Sequence, residues 1–296
     1  MRVVVTGATG QLGQALIASA PPDISVLPLG REQLDLADAT ACAQLVKREK
    51  PDWVINAGAY TAVDQAERES ALAEAVNAGA PEAFAAALQE IDGHLLQVST
   101  DFVFDGRQGS PYRPDQPVEP LGVYGSSKAR GERQVLERLG SNGRGVVLRT
   151  SWVYGPVGRN FLLTMLRLHR DRAASGNPLA VVADQVGCPT STAGLAMACW
   201  RLVERGSGGQ SILHWSDAGA ASWYDFAVAI GELGVDLGLL ERAAVVRPIA
   251  TADYPTPARR PSYSLLDCSG TRDRLGLEAQ HWRQALKEVL CLLRSA

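Results

Sequence analysis

The sequence predicts an α/β protein: a doubly wound parallel sheet, then a smaller mixed α/β lobe. Three observations carry this. The chain opens with a strand-like run, a glycine-rich loop and a helix in immediate succession. Apolar, β-branched runs then alternate with helix-length segments as far as Thr150, the pattern of stacked βαβ units. The strand-like runs have continuous apolar character and little alternation, as strands buried on both faces do.

Arg2-Val-Val-Val-Thr6 is the first such run. It ends at Gly7-Ala-Thr-Gly10-Gln-Leu-Gly13, and Gln14–Ala20 reads as a helix. A strand, a glycine loop and a helix N-terminus bring backbone N–H groups together where a pyrophosphate can sit. The spacing is Gly-x-x-Gly-x-x-Gly, a variant of the commoner Gly-x-Gly-x-x-Gly. Ile24–Leu27 is the second strand. It is followed by Leu29-Gly30-Arg31, with no acid at the tip. An acid there would bind a ribose 2′-hydroxyl and favour NAD, whereas a basic residue suits a 2′-phosphate. The reading leans to NADPH and leaves NADH open, because Arg31 is equally compatible with a solvated loop charge. Asp35-Leu36 is placed to edge an adenine.

A helix over 40–49 leads to a third strand ending at Asn56, then Ala57-Gly58-Ala59, small residues that let a ligand approach the backbone. An Ala-rich helix over 80–91 precedes the strand Leu95–Thr100. Ser99-Thr100-Asp101 thus falls at a strand end, where a hydroxyl can meet a substrate carbonyl; a turn held by its own side chains is the other reading. Gly106–Leu121 is Pro- and Gly-rich and reads as a surface loop suited to a lid or a partner contact. Val123-Tyr124-Gly-Ser-Ser-Lys128 opens a helix that stops at Gly140, so Tyr124 and Lys128 share one face. A free tyrosine titrates near pH ~10, and a neighbouring ammonium lowers that value. The pair is a proton donor with a cation that can also hold a ribose, or an aromatic and a charge on a solvated helix. The strand Val146–Thr150 enters a turn at Trp152, which either stacks on a sugar or joins the core.

Beyond Thr150 the alternation loosens. Helices are expected over 160–172, 193–204, from Ser222 as N-cap to Leu233, and over 281–293. Extended segments are expected at 179–182 and 211–215. Tyr254-Pro-Thr-Pro-Ala-Arg259-Arg260-Pro261 is a stiff segment displaying two guanidiniums, groups that suit phosphate. The expected division is 1–150 for the dinucleotide-binding part and 151–296 mainly for a substrate-binding lobe, with a stretch near 205–230 returning to the first. The strand ends at Gly7–Gly13, Ala57–Thr61, Ser99–Asp101 and Thr150–Trp152 should converge on one crevice.

Composition excludes other classes. The 296 residues are 46% hydrophobic and carry a net charge of −3, enough for a core and without the basic field of a nucleic-acid binder. The five cysteines form no C-x-x-C, and the four histidines show no metal-ligand spacing. No metal site, no signal peptide and no membrane span are expected, and the cytoplasm is the expected compartment.

Taken together, Gly7-x-x-Gly10-x-x-Gly13, Asn56-Ala-Gly-Ala59, Ser99-Thr-Asp101 and Tyr124-x-x-x-Lys128 resemble the extended short-chain dehydrogenase/reductase superfamily, built on the Rossmann fold. Further matches narrow the resemblance to the dTDP-4-dehydrorhamnose reductase family. They are Ala59-Tyr-Thr-Ala-Val-Asp64-Gln-Ala-Glu67, Ser99-Thr-Asp-Phe-Val-Phe104, Arg149-Thr-Ser-Trp-Val-Tyr154, Asp184-Gln-Val-Gly-Cys-Pro-Thr190 and Tyr254–Pro261, and the likeness runs from Met1 to the last helix. It implies reduction of the C4 ketone of a dTDP-6-deoxy-4-ketosugar. Tyr124 would be the proton donor, Lys128 would hold the nicotinamide ribose, and Thr100 would bond the carbonyl. Asp101, Trp152 and Arg260 would contact the sugar nucleotide. Gly10, Gln11 and Leu12 would cradle the pyrophosphate. Asp35 and Leu36 would border the adenosine, with Ala59, Tyr60 and Thr61 towards the nicotinamide. The same fold also carries nucleotide-sugar epimerases and dehydratases, and regulatory subunits of methionine adenosyltransferase resemble these reductases without catalysing.

Some members of the family are described as dimers bridged by Mg²⁺ through three carboxylates. The matching positions here are Ala15, Ala193 and Arg283, none with the side-chain oxygen a hard cation needs. The protein is therefore expected to be a monomer, or a dimer with no metal bridge. Its solution mass should be the same with and without EDTA, and dissociation on chelation would overturn that expectation.

Overall fold

The computed structural model describes residues 1–278 and 280–295. Its first half is strand, helix, strand in strict order: β1 (Arg2–Thr6), α1 (Gln11–Ala18), β2 (Ser25–Leu29), α2 (Ala39–Glu49), β3 (Trp53–Asn56). Between β3 and the next long helix lie α3 (Val63–Ala66), α4 (Ser70–Glu74) and one π-helical turn over Ala75–Gly79. These three leave no clear period in the sequence. Then come α5 (Ala80–Glu90), β4 (His94–Thr100), α6 (Val123–Val135) and β5 (Gly145–Thr150). Local chemistry sets several boundaries. Asp38 caps α2 by accepting from the Ala41 N–H at 2.9 Å, and α2 ends where Lys50 adopts a left-handed conformation.

The second half holds β6 (Val153–Tyr154), α7 (Phe161–Ser175), β7 (Leu179–Val182), β8 (Val186–Gly187), β9 (Thr190–Ser191) and α8 (Thr192–Arg205). It continues with β10 (Ile212–His214), β11 (Ala221–Ser222), α9 (Trp223–Asp236), β12 (Val246–Ile249), α10 (Ser269–Leu275) and α11 (Trp282–Ser295). Ser222 caps α9 as expected, in a capping box with Asp225.

Six strands form one parallel sheet in the order β10-β5-β4-β3-β1-β2. The order reverses between β1 and β3, the switch point at which such sheets bind ligands. The chain re-enters this sheet at β10, inside the expected return segment. Helix α8, expected in the second lobe, instead packs Leu195, Cys199 and Leu202 into the cluster that covers one sheet face. A second cluster, with Leu34, Phe84 and Leu88, covers the other face. A third, around Phe226, Ile230 and Leu286, is the core of the smaller lobe. Among the described residues that lobe has two-stranded ladders: β12 with β7, β11 with β8, and β6 with β9.

The loop over 106–121 is less detached than expected. Tyr112 is buried and stacks on Phe104 with ring centroids 4.1 Å apart. Beneath it lies a buried ion pair. Arg149 of β5 donates to Glu132 of α6, Nη2 to Oε2 at 2.7 Å and Nε to Oε1 at 3.0 Å. Ser99 donates to the same carboxylate. Arg149 also lies over the Phe104 ring and donates to the Pro114 carbonyl at 3.4 Å. His214 of β10 completes the group. Burial and the Arg149 charge push its pKa down to about 3, so it stays neutral.

Removing one member of a buried charge pair strands the other. Arg149→Met should lower unfolding stability by about 3–5 kcal/mol, read as the urea midpoint, and a loss under 1 kcal/mol would refute this role.

Candidate active site

The crevice lies at the carboxyl ends of β1, β3, β4 and β5 and has a volume of about 480 Å³. Its lining includes Gly7, Gly10, Gln11, Leu12, Arg31, Asp35, Leu36, Ala57, Ala59, Tyr60, Thr61, Tyr124 and Lys128. All but one of the residues assigned to the cofactor from sequence therefore meet in one place. The exception is Gly13, which does not line the crevice. It packs beneath the loop, where a β carbon would come 2.1 Å from the Gly7 carbonyl oxygen. Gly7 itself has φ +63°, and a β carbon on it would lie 2.7 Å from Gly58 Cα. The floor of the crevice at the switch point is thus bare backbone. No side chain caps α1 at Gly10, which leaves its first-turn N–H groups for an anion. These features fit a dinucleotide.

Lys128 is buried, and its Nζ donates to the Val98 carbonyl at 2.6 Å. Burial lowers its pKa to about 8, against the opposing pull of Glu132 one turn further along α6. Tyr124 departs from the sequence expectation. Its pKa is raised to about 12, first by burial and further by the Asp101 charge, with the Thr100 hydroxyl opposing. The lowering expected from Lys128 is not found, because that ammonium is directed to Val98. The phenol is protonated at neutral pH, the state a proton donor requires, and the raised pKa makes it a weaker acid than a free tyrosine.

Thr100 and Asp101 are both buried at the end of β4. Thr100 Oγ1 donates to Asp101 Oδ1 at 3.0 Å, and it accepts from the Phe102 N–H at 3.2 Å. Asp101 Oδ2 has no hydrogen-bond partner among the described residues. Burial raises the Asp101 pKa to about 6, with the Ser264 and Thr100 hydroxyls opposing.

Two sugar-side residues are partly engaged by protein. Trp152 has φ +48°, a strained conformation for a bulky residue, and its ring stacks on Trp223 at 3.6 Å with planes 5° apart. One face is therefore occupied by protein. Arg260 is not a free guanidinium. It forms an ion pair with Asp64, Nη2 to Oδ2 at 2.8 Å and Nη1 to Oδ1 at 3.0 Å, and Asp64 also accepts from the Ala258 N–H at 3.1 Å. The pair fastens the Pro-rich segment to α3. Arg259 is exposed, and its side chain has no hydrogen bond or ion pair among the described residues.

Asn77, in the π turn, was missed. It is buried. Its Oδ1 accepts from the Tyr60 N–H at 2.9 Å, and its Nδ2 donates to the Tyr60 carbonyl and to Ser127 Oγ, each at 3.1 Å. It therefore ties the cofactor-side segment to the helix that carries Tyr124. A buried Asn inside an Ala-rich run shows no pattern that could have marked it. Gly158 and Arg159, in the loop after β6, also line the crevice unforeseen. Ala15 and Ala193 sit on α1 and α8, and Arg283 pairs with Glu232 at 2.9 Å. Among the described residues no cluster of three His, Cys, Asp or Glu is placed to hold a metal.

A parallel sheet with a glycine-loop crevice at its switch point and a Tyr–Lys pair on the wall is the architecture of an NAD(P)-dependent short-chain dehydrogenase/reductase. The comparisons narrow the class. The family model described as RmlD substrate binding domain matches residues 1–295, and the chain belongs to that family. A dTDP-4-dehydrorhamnose reductase of Aggregatibacter actinomycetemcomitans is 39% identical over 294 residues, 97% of this chain and 98% of the relative. Among solved structures, a dTDP-4-dehydrorhamnose reductase of Clostridium acetobutylicum is 34% identical with a TM-score of 0.89, covering 99% of this chain and 100% of that one. The Bacillus anthracis dTDP-4-dehydrorhamnose reductase, solved in complex with NADP, is 33% identical with a TM-score of 0.89, covering 98% and 99%.

The buried Asp101 gives a pH prediction. A raised carboxyl pKa costs stability above that pKa, and the cost disappears as pH falls towards the unfolded value. Asp101→Asn should therefore be more stable than the parent at pH 7, by about 2–3 kcal/mol from the size of the shift. The gap should close between pH 6 and 4 in urea titrations; a gap independent of pH would refute the assignment.

Proposed function

We propose that this chain reduces the C4 ketone of dTDP-4-dehydro-L-rhamnose (dTDP-6-deoxy-L-lyxo-4-hexulose) with NADPH, giving dTDP-L-rhamnose in the last step of that donor's synthesis. The observation that carries the reading is the meeting of Tyr124, Lys128 and the glycine loop in one crevice, with Thr100 beside the phenol, in a member of this family. When bound, the reduced nicotinamide supplies a hydride to C4. Tyr124 gives its proton to the carbonyl oxygen as charge develops there. Thr100 turns its hydroxyl to the same oxygen and helps stabilise the charge. Lys128 holds the nicotinamide ribose, and a pKa of about 8 leaves it mainly charged at neutrality. Gly10, Gln11 and Leu12 offer backbone N–H groups to the pyrophosphate. Arg31 meets the 2′-phosphate, which makes NADPH the preferred cofactor over NADH. Asp35 and Leu36 border the adenosine.

On the sugar side, Asp101 offers its unpartnered oxygen to a substrate hydroxyl. Trp152, backed by Trp223, packs on the deoxysugar. Arg260 orders the Pro-rich segment, and the unpartnered Arg259 is the guanidinium available to the dTDP diphosphate. The complete Thr100, Tyr124 and Lys128 set favours catalysis over a purely regulatory role such as that of the methionine adenosyltransferase subunits. Cys42, Cys188, Cys199 and Cys268 are buried thiols outside any disulfide, which supports a reducing compartment, the cytoplasm. Among the described residues no helix is long and apolar enough to cross a membrane. The state in solution is a monomer, or a dimer without a metal bridge.

The decisive measurement is loss of NADPH absorbance with dTDP-4-keto-6-deoxyglucose and the 3,5-epimerase present. Tyr124→Phe should cut turnover by ~10²–10⁴-fold while NADPH affinity stays close to normal. Lys128→Ala should damage both. No oxidation by the parent would sink the reductase reading, and near-normal turnover in Tyr124→Phe would assign the proton to another group.

A further inference from the structure

The loop between β6 and α7 reaches the glycine loop through Gln11, the first residue of α1. Gln11 Nε2 donates to the Arg159 carbonyl at 3.4 Å, and its Oε1 accepts from Asn160 Nδ2 at 2.8 Å. Asn160 is held in turn. It caps α7 by accepting from the Leu163 N–H at 2.9 Å, and it donates to the Gly155 carbonyl at 2.9 Å. The Gln11 side chain is thus spent on protein, and what α1 offers an anion is its backbone. Arg159 is left exposed on the crevice wall. Its guanidinium makes no hydrogen bond or ion pair among the described residues.

The other crevice cations are differently placed. Lys128 is committed to the Val98 carbonyl. Arg31 shares its end of the crevice with Leu34, Asp35 and Leu36, and Asp35 is the only acid among the lining residues. An unpartnered guanidinium held by its own backbone next to an uncapped helix start is suited to a diphosphate, which accepts two parallel N–H bonds.

We propose that Arg159 is a diphosphate-binding residue, closing on the dinucleotide from the smaller lobe opposite the N-terminus of α1. This rests on the reading of the crevice as a dinucleotide site. It separates two cations by the part of the cofactor they meet: Arg159 the diphosphate common to NADPH and NADH, Arg31 the 2′-phosphate of NADPH alone.

The test is equilibrium titration of the purified full chain with NADPH, NADH and dTDP, followed by calorimetry or nucleotide fluorescence. Arg159→Gln should weaken NADPH and NADH by a similar factor, about ten- to a hundredfold for a lost charge-assisted contact, and leave dTDP binding unchanged. Arg159→Lys should recover part of the loss. Arg31→Gln should weaken NADPH far more than NADH. Unchanged affinities in Arg159→Gln would make Arg159 a solvated surface charge and overturn the proposal. Loss confined to NADPH would move it to the 2′-phosphate, and loss confined to dTDP would move it to the sugar nucleotide; either overturns the assignment. A parent chain that binds neither dinucleotide would overturn the reading of the crevice itself, a result distinct from these. An unchanged melting temperature of unliganded Arg159→Gln excludes misfolding as the cause of any loss.

Discussion

The bidentate contact between Arg149 and Glu132 is the constraint on which the site depends. It joins β5 to α6 in a region closed to solvent, and Ser99 brings β4 into the same contact. Two ions removed from water are stable only when their remaining donors and acceptors are filled. Here they are filled by Ser99, the Pro114 carbonyl and the neutral His214 ring. The position of α6 along the sheet is thereby fixed, and with it Lys128, one helical turn before Glu132. A purely apolar contact would tolerate sliding by a fraction of a turn. A forked guanidinium on a carboxylate does not.

Around that anchor, the site is assembled by polar links between segments distant in sequence. Asn77 joins the Tyr60 backbone to α6 through Ser127. Thr6, Asn56 and Gln97 run as a buried chain across β1, β3 and β4, with bonds of 2.6 Å and 2.7 Å. Gln97 then donates to the Val98 carbonyl at 2.8 Å, the same oxygen that receives Lys128. Buried networks whose members are satisfied make a site rigid. The raised pKa of Tyr124 and the lowered pKa of Lys128 both follow chiefly from burial, so the reactivity of each is set by how far the fold excludes water.

Much of this was legible in the sequence, for identifiable reasons. Buried parallel strands write continuous apolar runs, so β1, β3, β4 and β5 could be placed within a residue or two. Ser222 announced α9 because a capping hydroxyl is a local signal. The convergence of the strand ends followed from the topology rule for such sheets. Other features left no local trace. Residues 63–79 break into two short helices and a π turn and carry no sustained period. Asp64 and Arg260 are 196 positions apart, and nothing in either neighbourhood says that they meet. The neighbouring ammonium on the helix, taken alone, predicts a lowered tyrosine pKa. The pKa is raised instead, because desolvation is a property of the whole fold and the ammonium has a nearer acceptor.

The bare backbone where Gly7 meets Gly58 has a consequence for how such a protein can change over time. Where Gly7 meets Gly58 the floor of the crevice presents no side chain, so substitution cannot reshape it gradually; adding even one carbon at Gly7 forces the loops after β1 and β3 apart. The walls are different. Arg31, Arg159, Trp152 and Arg259 project from loops and can be exchanged one at a time. Variation is thereby channelled into which nucleotide and which sugar are accepted, while the geometry on which the hydride chemistry depends is inherited unaltered.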